Sequence, residues 1–321
     1  MSAPVAVVLM AYGTPGDPSE IEAYYTDIRR GRPPTPEALA DLTARYVAIG
    51  GVSPLAEVTE AQRHALQRSL DELDPGRFVV SLGMKHADPK VEVAAAAAVE
   101  QGSEAIVGLV LAPHFSSYSI GEYLARCAAG AGETVPVIGV ESWATEPAFV
   151  GFLADDLAER RAAMLAATGR PVHVLFTAHS LPQRIIDAGD PYPDQLRSTA
   201  VAVADRLGLD ETTDWSIAWQ SAGRTPEPWI GPDILAVIDD LGQSGSFGGV
   251  IVCACGFVAD HLEVLYDLDI EAAARAAQAG LAFDRTASVN GDSAVMAALA
   301  QRVIEAADAP ARDLLDHVQG S

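Results

Sequence analysis

Short apolar runs that break abruptly into polar loops recur along the chain, with longer helix-forming stretches between them. Each run is rich in valine, isoleucine or leucine, and the loop after it carries glycine, proline or histidine. The strands are predicted at 5–10, 78–83, 105–111, 172–176, 215–219 and 249–255. Strands that alternate with helices build parallel sheets. The pattern therefore predicts an α/β fold.

The two halves of the chain resemble each other. Residues 4–15 read PVAVVLMAYGTP and residues 171–182 read PVHVLFTAHSLP, so that Tyr12 falls on His179. The next two strands follow in the same order in each half, and Pro226 is matched with Pro89. This predicts two similar Rossmann-like, doubly wound domains with parallel sheets, at 1–148 and 149–321, and a cleft between them.

Charge and composition exclude several classes of protein. The chain has 321 residues, 49% of them apolar, with 21 basic and 44 acidic side chains and a net charge of −23. Nucleic acids and anionic membranes are bound through Lys and Arg, so neither is an expected partner. Three cysteines cannot close a disulfide framework, and no apolar run reaches the ~18 residues of a membrane helix. A signal peptide is not predicted either, and the expected location is the cytoplasm.

His179 follows the most clearly defined strand of the second half. The carboxyl ends of parallel strands are where open sheets hold their ligands. A neutral imidazole acts there as a general base or as a metal ligand. The alternative is a packing or turn residue, and this motif alone leaves both interpretations open.

The segment 256–271 follows the last predicted strand and is predicted to be helical. Glu263, Asp267 and Glu271 are spaced four residues apart and would share one helix face. Like charges at this spacing destabilise an isolated helix, whereas a row of carboxylates attracts hard or borderline divalent cations. A solvated acidic face is the alternative interpretation.

One basic cluster stands out in this acidic chain. It covers 27–32, and Arg45 with Tyr46 follows it. Arginine binds carboxylates and phosphates through its planar fork, although a surface salt-bridge helix would have the same composition. No glycine-rich phosphate loop or GxSxG motif is present, which argues against dinucleotide, kinase and hydrolase functions.

Together these motifs resemble ferrochelatase, and specifically the coproporphyrin ferrochelatase type. The stretches that carry the resemblance are AYGTP (11–15), YYTDIRRGRPP (24–34), RYVAIGGVSPL (45–55), LAPHFSSYSIGEY (111–123), FTAHSLP (176–182), WQSAGRTPEPWIGPD (219–233) and GFVADHLEVLYDLDIEA (256–272). The resemblance runs from residue 7 to about residue 310. It implies a chelatase-like pair of domains with a tetrapyrrole cleft, in which Fe²⁺ enters the macrocycle.

The resemblance also implies roles for particular residues. His179 falls on the family's metal-site histidine and Glu263 on its acidic partner, which makes them the expected catalytic and Fe²⁺-binding pair. Asp267 and Glu271 fall on outer positions that relay cations or protons. Tyr12 matches the tyrosine on the axial side of the product iron. The tetrapyrrole-contact positions are Tyr12, Arg29, Arg45, Tyr46, Ser53 and Tyr123.

Coproporphyrin III is the expected substrate. Its four propionates suit the arginines of the basic cluster, and 29–55 lacks the strongly apolar lip of membrane-associated protoporphyrin enzymes. Three alternatives stay open: a protoporphyrin IX ferrochelatase, a non-catalytic haem-binding or tetrapyrrole-binding protein, and a chelatase for another metal or for sirohydrochlorin.

No permanently bound cofactor is expected, and Fe²⁺ is a substrate. Cys253 and Cys255 replace a stretch that usually carries proline in the family, and they are expected to be small core residues. A [2Fe–2S] cluster is not predicted, because three cysteines cannot supply four thiolates and the tail at 308–321 has none. A monomer is expected, with transient contact to other haem-pathway enzymes.

Overall fold

A computed structural model describes residues 3–223 and 225–309. The strands are β1 Val5–Ala11, β2 Phe78–Met84, β3 Ala105–Val110, β4 Val137–Val140, β5 Val172–His179, β6 Trp215–Gln220, β7 Gly249–Cys253 and β8 Ala282–Arg285. The α-helices are α1 Ile21–Ile28, α2 Pro36–Ala48, α3 Leu55–Leu73, α4 Val91–Glu100, α5 Glu122–Ala131, α6 Pro147–Thr168, α7 Gln183–Asp187, α8 Tyr192–Leu207, α9 Ile234–Ser244, α10 Leu262–Leu265, α11 Ala273–Gln278 and α12 Ser293–Asp308. A 3₁₀ turn lies at Pro18–Glu20, and π-helices lie at Ser117–Gly121 and Asp267–Ala272.

The strands form two four-stranded parallel sheets. The strand order is β2-β1-β3-β4 in the first sheet and β6-β5-β7-β8 in the second. Every residue of β1 is buried, and β5 is buried until it reaches His179. Such continuous apolar runs are expected of parallel strands that helices cover on both faces. The predicted α/β class with two similar parallel-sheet domains is confirmed.

All six predicted strands are present, with ends shifted by up to three residues, and two strands were missed. β4 and β8 have only four residues each and lie at sheet edges. β4 is a very short apolar run, and β8, with the sequence Ala-Phe-Asp-Arg, is not an apolar run, so neither stands out from its surroundings.

The contacts divide the chain into two compact units. One consists of the residues up to Trp143 together with the segment that starts at Asn290, and the other runs from Ala144 to Val289. The sequence-based division at 148 and 149 differs from this in placing α12 in the second unit. α12 packs on α3, and Arg77 before β2 forms a 2.7 Å ion pair with Asp308 at its end. A contact over this length of chain leaves no periodic signal in the sequence.

The internal repeat extends to the loops that follow β2 and β6. The N–H of Met84 donates to the carbonyl of Pro89, and the N–H of Trp219 donates to the carbonyl of Pro232. The residues after these prolines form isolated β-bridges to the same two strands, Lys90 with Met84 and Asp233 with Trp219. The partner of Pro89 is therefore Pro232, and the match with Pro226 was wrong by six residues because this loop is longer in the second half.

No helix within residues 3–223 and 225–309 combines the length and the apolar composition that crossing a bilayer requires.

Candidate active site

His179 is the last residue of β5, at the carboxyl edge of the second sheet, and it pairs with Gln220 of β6. Its Nδ1 contacts the carbonyl oxygen of Ser180 at 2.5 Å. A carbonyl oxygen can only accept, so Nδ1 carries the hydrogen. In the neutral ring, Nε2 is therefore the nitrogen without a hydrogen, which can accept a proton or bind a metal. It lies 3.6 Å from Oε1 of Glu263.

The segment that carries Glu263 is held against β5 by a close backbone approach. The N–H of Gly256 donates to the carbonyl of Thr177, and a Cβ on Gly256 would lie 2.4 Å from that of Ala178. Only glycine fits such an approach without displacing its neighbours. This contact brings the chain after β7 alongside the strand that ends in His179.

His261 joins the pair, although the sequence assigned it no role. Its Nδ1 donates to the carbonyl of Ala259 at 2.9 Å, and its Nε2 lies 3.6 Å from Oε2 of Glu263. His261 has extended backbone angles and directly precedes α10. The spacing His-x-Glu after β7 was the available signal.

His179 and Glu263 shift each other's pKa values. Burial opposes protonation of His179, but the Glu263 carboxylate and the Ser180 carbonyl outweigh it and raise the pKa of His179 above its usual value. Burial likewise acts to raise the pKa of Glu263, but the two histidines hold that pKa well below its usual range. Glu263 therefore favours the protonated imidazole of His179, and the two histidines favour the ionised carboxylate of Glu263.

The predicted acidic row has a different geometry. After the four residues of α10 the chain forms the π-helix Asp267–Ala272, so 256–271 is not one α-helix. A π-helix closes i→i+5 hydrogen bonds and has only slightly more residues per turn than an α-helix, so positions four apart still lie near one another around its axis. Asp267 is buried, with one carboxylate oxygen bonded to the Ser221 hydroxyl, whereas Glu271 is exposed. The expectation of one continuous helix was wrong, whereas the single shared face of the three carboxylates stays a prediction.

Aromatic rings flank His179. The ring centroids of Trp229 and Phe257 lie 6.3 Å and 6.4 Å from that of His179. Trp229 packs so closely on Gly223 that a Cβ there would lie 2.3 Å from the indole. The loop after β6 thus contributes an apolar surface beside the His179–Glu263 pair.

In the first unit, Tyr12 directly follows β1 and is 43% exposed. Its ring centroid lies 4.6 Å from that of His86, and the backbone N–H of His86 donates to the Tyr12 carbonyl. His86 Nδ1 and Lys90 Nζ both contact Asp27, at 2.8 Å and 3.0 Å. Tyr12 is therefore an accessible phenol beside a fixed charged cluster.

The two predicted arginines are placed differently. Arg29 is exposed, stacks on Tyr25 at 5.7 Å, and donates from Nε to the carbonyl of Arg32. Arg45 is partly buried on α2, and its Nε lies 3.3 Å from Asp41. Arg29 thus presents its guanidinium to solvent, whereas Arg45 is held by a neighbouring carboxylate.

The remaining predicted tetrapyrrole contacts are buried side chains. The Tyr46 hydroxyl lies 3.3 Å from that of Thr14, and the Ser53 hydroxyl accepts from the N–H of Leu55 at the start of α3. Tyr123 packs beneath the Lys85 ammonium, 5.2 Å from its ring centroid. Their contact with a tetrapyrrole stays a prediction.

Cys127, Cys253 and Cys255 are free and buried. Burial raises the pKa of Cys127 to about 12, and the Sγ of Cys255 donates to the Thr177 carbonyl at 3.7 Å. All three thus occupy core positions. In the described ranges, no three His, Cys, Asp or Glu side chains are grouped as a metal site. The cysteine-free tail is not described beyond residue 309.

Comparison with known proteins decides the family. The sequence matches the ferrochelatase family over residues 4–307. The chain belongs to this family. A Halalkalibacterium halodurans protein named coproporphyrin III ferrochelatase is 46% identical over 274 residues, 83% of this chain and 86% of that protein. A Bacillus subtilis protein of the same name is 41% identical over 304 residues, 94% and 97% of the two chains.

Solved structures show the same fold at low sequence identity. SirB from Bacillus subtilis with Fe³⁺ aligns with a TM-score of 0.54 over 95% of this chain and 96% of its own, at 14% identity. CbiX, described as the terminal enzyme for biosynthesis of siroheme in denitrifying bacteria, aligns with a TM-score of 0.51 over 95% and 100% of the two chains, also at 14% identity. The chelatase-like fold predicted for this ferrochelatase is thereby confirmed.

Proposed function

We propose that this protein is a coproporphyrin III ferrochelatase, a lyase-class metal chelatase that inserts Fe²⁺ into coproporphyrin III to give Fe-coproporphyrin in haem biosynthesis. Membership of the family and the names of its relatives over nearly the whole chain support the activity. The observation that carries the chemistry is the approach of His179 Nε2 to Glu263 Oε1, 3.6 Å apart, with Nδ1 already bonded to a carbonyl.

This separation suits a divalent ion held between the two atoms. Metal–ligand distances of about 2.1 Å at tetrahedral or octahedral angles put two ligand atoms about 3.0–3.4 Å apart. The pair would need to close by only a few tenths of an ångström. Two protein ligands make a weak site, and a weak site suits an ion that has to be passed on to the tetrapyrrole.

Protons must leave as iron enters. Fe²⁺ replaces two pyrrole N–H protons, so charge is conserved only if two protons reach bases or solvent. His179, once it has lost its own proton, can accept one at Nε2, and its fixed tautomer keeps that nitrogen correctly oriented. Positioned general bases typically contribute roughly 10²–10⁴-fold. Asp267 and Glu271 are proposed as an outer relay for cations or protons.

Substrate recognition is assigned to the first unit. The Arg29 guanidinium is solvent-exposed, so a propionate can reach it directly. Arg45 would have to exchange Asp41 for a propionate, a like-for-like exchange of carboxylates. Four propionates offer coproporphyrin more such contacts than the two of protoporphyrin. Tyr12, at 43% exposure, is the proposed residue on the axial side of the product iron.

The test is anaerobic incubation of the purified protein with a tenfold excess of Fe²⁺ and coproporphyrin III. Many turnovers per protein, followed by the change of the Soret and visible bands, are expected. A non-catalytic tetrapyrrole-binding protein would bind the porphyrin without metallating more than one equivalent. His179→Ala is expected to bind coproporphyrin III normally and to lose turnover. Full turnover in this variant would contradict the assignment of His179.

Other properties stay predictions of the sequence. They are a cytoplasmic location, a monomeric state, transient contact with other haem-pathway enzymes and the absence of a [2Fe–2S] cluster. Iron content and acid-labile sulfide of the purified protein would test the last, and scattering-coupled chromatography would test the oligomeric state.

A further inference from the structure

Ser221, the residue that follows β6, has an unusual backbone conformation. Its φ of 59° lies in the left-handed region, which side-chain-bearing residues adopt rarely. Only Arg30 and Asn290 share this property among the non-glycine residues of the described ranges. Residues held in such conformations persist where their surroundings fix them, and they concentrate at functional sites.

The contact that accompanies this conformation leads to the acidic segment. The Ser221 hydroxyl donates to Oδ2 of Asp267 at 2.5 Å. Asp267 is 7% exposed and is the first residue of the π-helix. A hydrogen bond to an ionised carboxylate is stronger than one between neutral groups. Ser221 therefore restrains one carboxylate oxygen where the chain changes from α10 to the π-helix.

The residue before Ser221 holds the same segment from its other end. Gln220 is buried, and its Nε2 donates to the carbonyl of Glu263 at 3.3 Å. Its Oε1 accepts from the Thr177 hydroxyl, and its carbonyl accepts from the N–H of Ser180. The end of β6 thus bonds both to the strand that ends in His179 and to the segment that contains Glu263 and Asp267.

We propose that Ser221 is a positioning residue for iron insertion, which fixes the Asp267 carboxylate relative to the His179–Glu263 pair through its hydroxyl. This inference rests on the proposed ferrochelatase function. A displaced Asp267 would change the approach of a cation to the pair.

Two substitutions separate the hydroxyl from the backbone. Ser221→Ala removes the hydroxyl and keeps a Cβ in the left-handed conformation, whereas Ser221→Gly removes both the hydroxyl and the steric penalty. Ser221→Gly should therefore be the more thermally stable variant. If the hydroxyl is what matters, both variants should raise the KM for Fe²⁺ by about tenfold, the effect typical of losing a hydrogen bond to a charged group.

The KM for coproporphyrin III should change less than about twofold in both variants. Ser246→Ala, which removes an exposed hydroxyl from a loop of the same unit, should leave both KM values unchanged. Titration of Fe²⁺ alone into the porphyrin-free protein, followed by calorimetry, should show the same weakening without any turnover. Unchanged use of Fe²⁺ in both variants overturns the proposal, as does a loss in Ser221→Ala that Ser221→Gly does not share.

A double-mutant cycle with Asp267→Asn completes the test. Because Ser221 is proposed to act through Asp267, the double variant should use Fe²⁺ no worse than Asp267→Asn alone. Independent, multiplying losses would show that Ser221 acts by another route and would contradict the proposal. Wild-type protein that never metallates coproporphyrin III would instead contradict the proposed function, so the two failures are distinguishable.

Discussion

Replacing Glu263 with glutamine should lower the pKa of His179. The substitution keeps the shape of the side chain and removes the charge whose oxygen lies 3.6 Å from Nε2. Burial acts to lower the pKa of His179, and the Glu263 carboxylate is the largest influence that raises it. With the carboxylate gone, the pKa of His179 should fall, because burial is then opposed only by the weaker influences of the Ser180 carbonyl and Asp267.

Coulomb's law sets the size of this change. Two unit charges 3.6 Å apart interact by about 1 kcal/mol when screened as in bulk water and by about 5 kcal/mol at an effective dielectric constant of 20. The two side chains keep 33% and 36% of their surface exposed, so the lower end of this range applies. One pKa unit corresponds to about 1.4 kcal/mol, and a fall of about one unit is expected.

The assay is an NMR titration of the histidine ring protons of the porphyrin-free, metal-free protein, with His179→Ala to assign the signal. Asp240→Asn, which removes an exposed carboxylate from α9, is the charge-matched control and should leave the titration unchanged. A His179 pKa that stays the same or rises in Glu263→Gln would refute the electrostatic description of the site.

Three further predictions concern stability. Gly256→Ala should destabilise the protein by about 1–3 kcal/mol in urea unfolding, because its Cβ would lie 2.4 Å from that of Ala178. Gly291→Ala is the control and should be nearly neutral, because the nearest atom to its Cβ would be 3.9 Å away. The His179–Glu263 pair should stabilise the fold most between about pH 4.5 and 6.5. The stabilisation that comes from the raised pKa of His179 is complete below pH 6.5 and is lost as the pH rises through the folded-state pKa. The stabilisation that comes from the lowered pKa of Glu263 is complete above pH 4.5 and is lost as the pH falls through the folded-state pKa. The difference in unfolding free energy between wild type and Glu263→Gln should therefore shrink on both sides of this window, and a flat difference would contradict it. Arg285→Lys should lower the free energy of unfolding by about 1 kcal/mol, because lysine cannot form the bidentate contact with Asp269, whose two hydrogen bonds are 2.6 Å and 3.0 Å long. Unchanged stability in thermal or urea unfolding would contradict the importance of that contact.

The sheet framework and the position of His179 at the end of a strand could be predicted from the sequence because both depend on local patterns. Buried parallel strands are continuous apolar runs, and His179 stands at the point where such a run ends. The family motifs then pointed to Glu263, which the structure places beside His179.

Features that depend on non-local geometry could not be predicted in this way. The π-helix at Asp267–Ala272 cannot be told from an α-helix by the pattern of so short a stretch, so 256–271 was predicted as one helix. His261 gains its position from an extended conformation just before α10. The packing of α12 on α3 joins segments far apart in sequence. Ser221 became notable only through its backbone angle and its contact with Asp267.

The most direct measurement is a competition in which the purified protein receives Fe²⁺ under anaerobic conditions with equimolar coproporphyrin III and protoporphyrin IX, and the metallated products are separated by chromatography. We predict Fe-coproporphyrin as the dominant product over many turnovers, with both products lost in His179→Ala. Dominant Fe-protoporphyrin, or no metallation beyond one equivalent of protein, would contradict the proposed function.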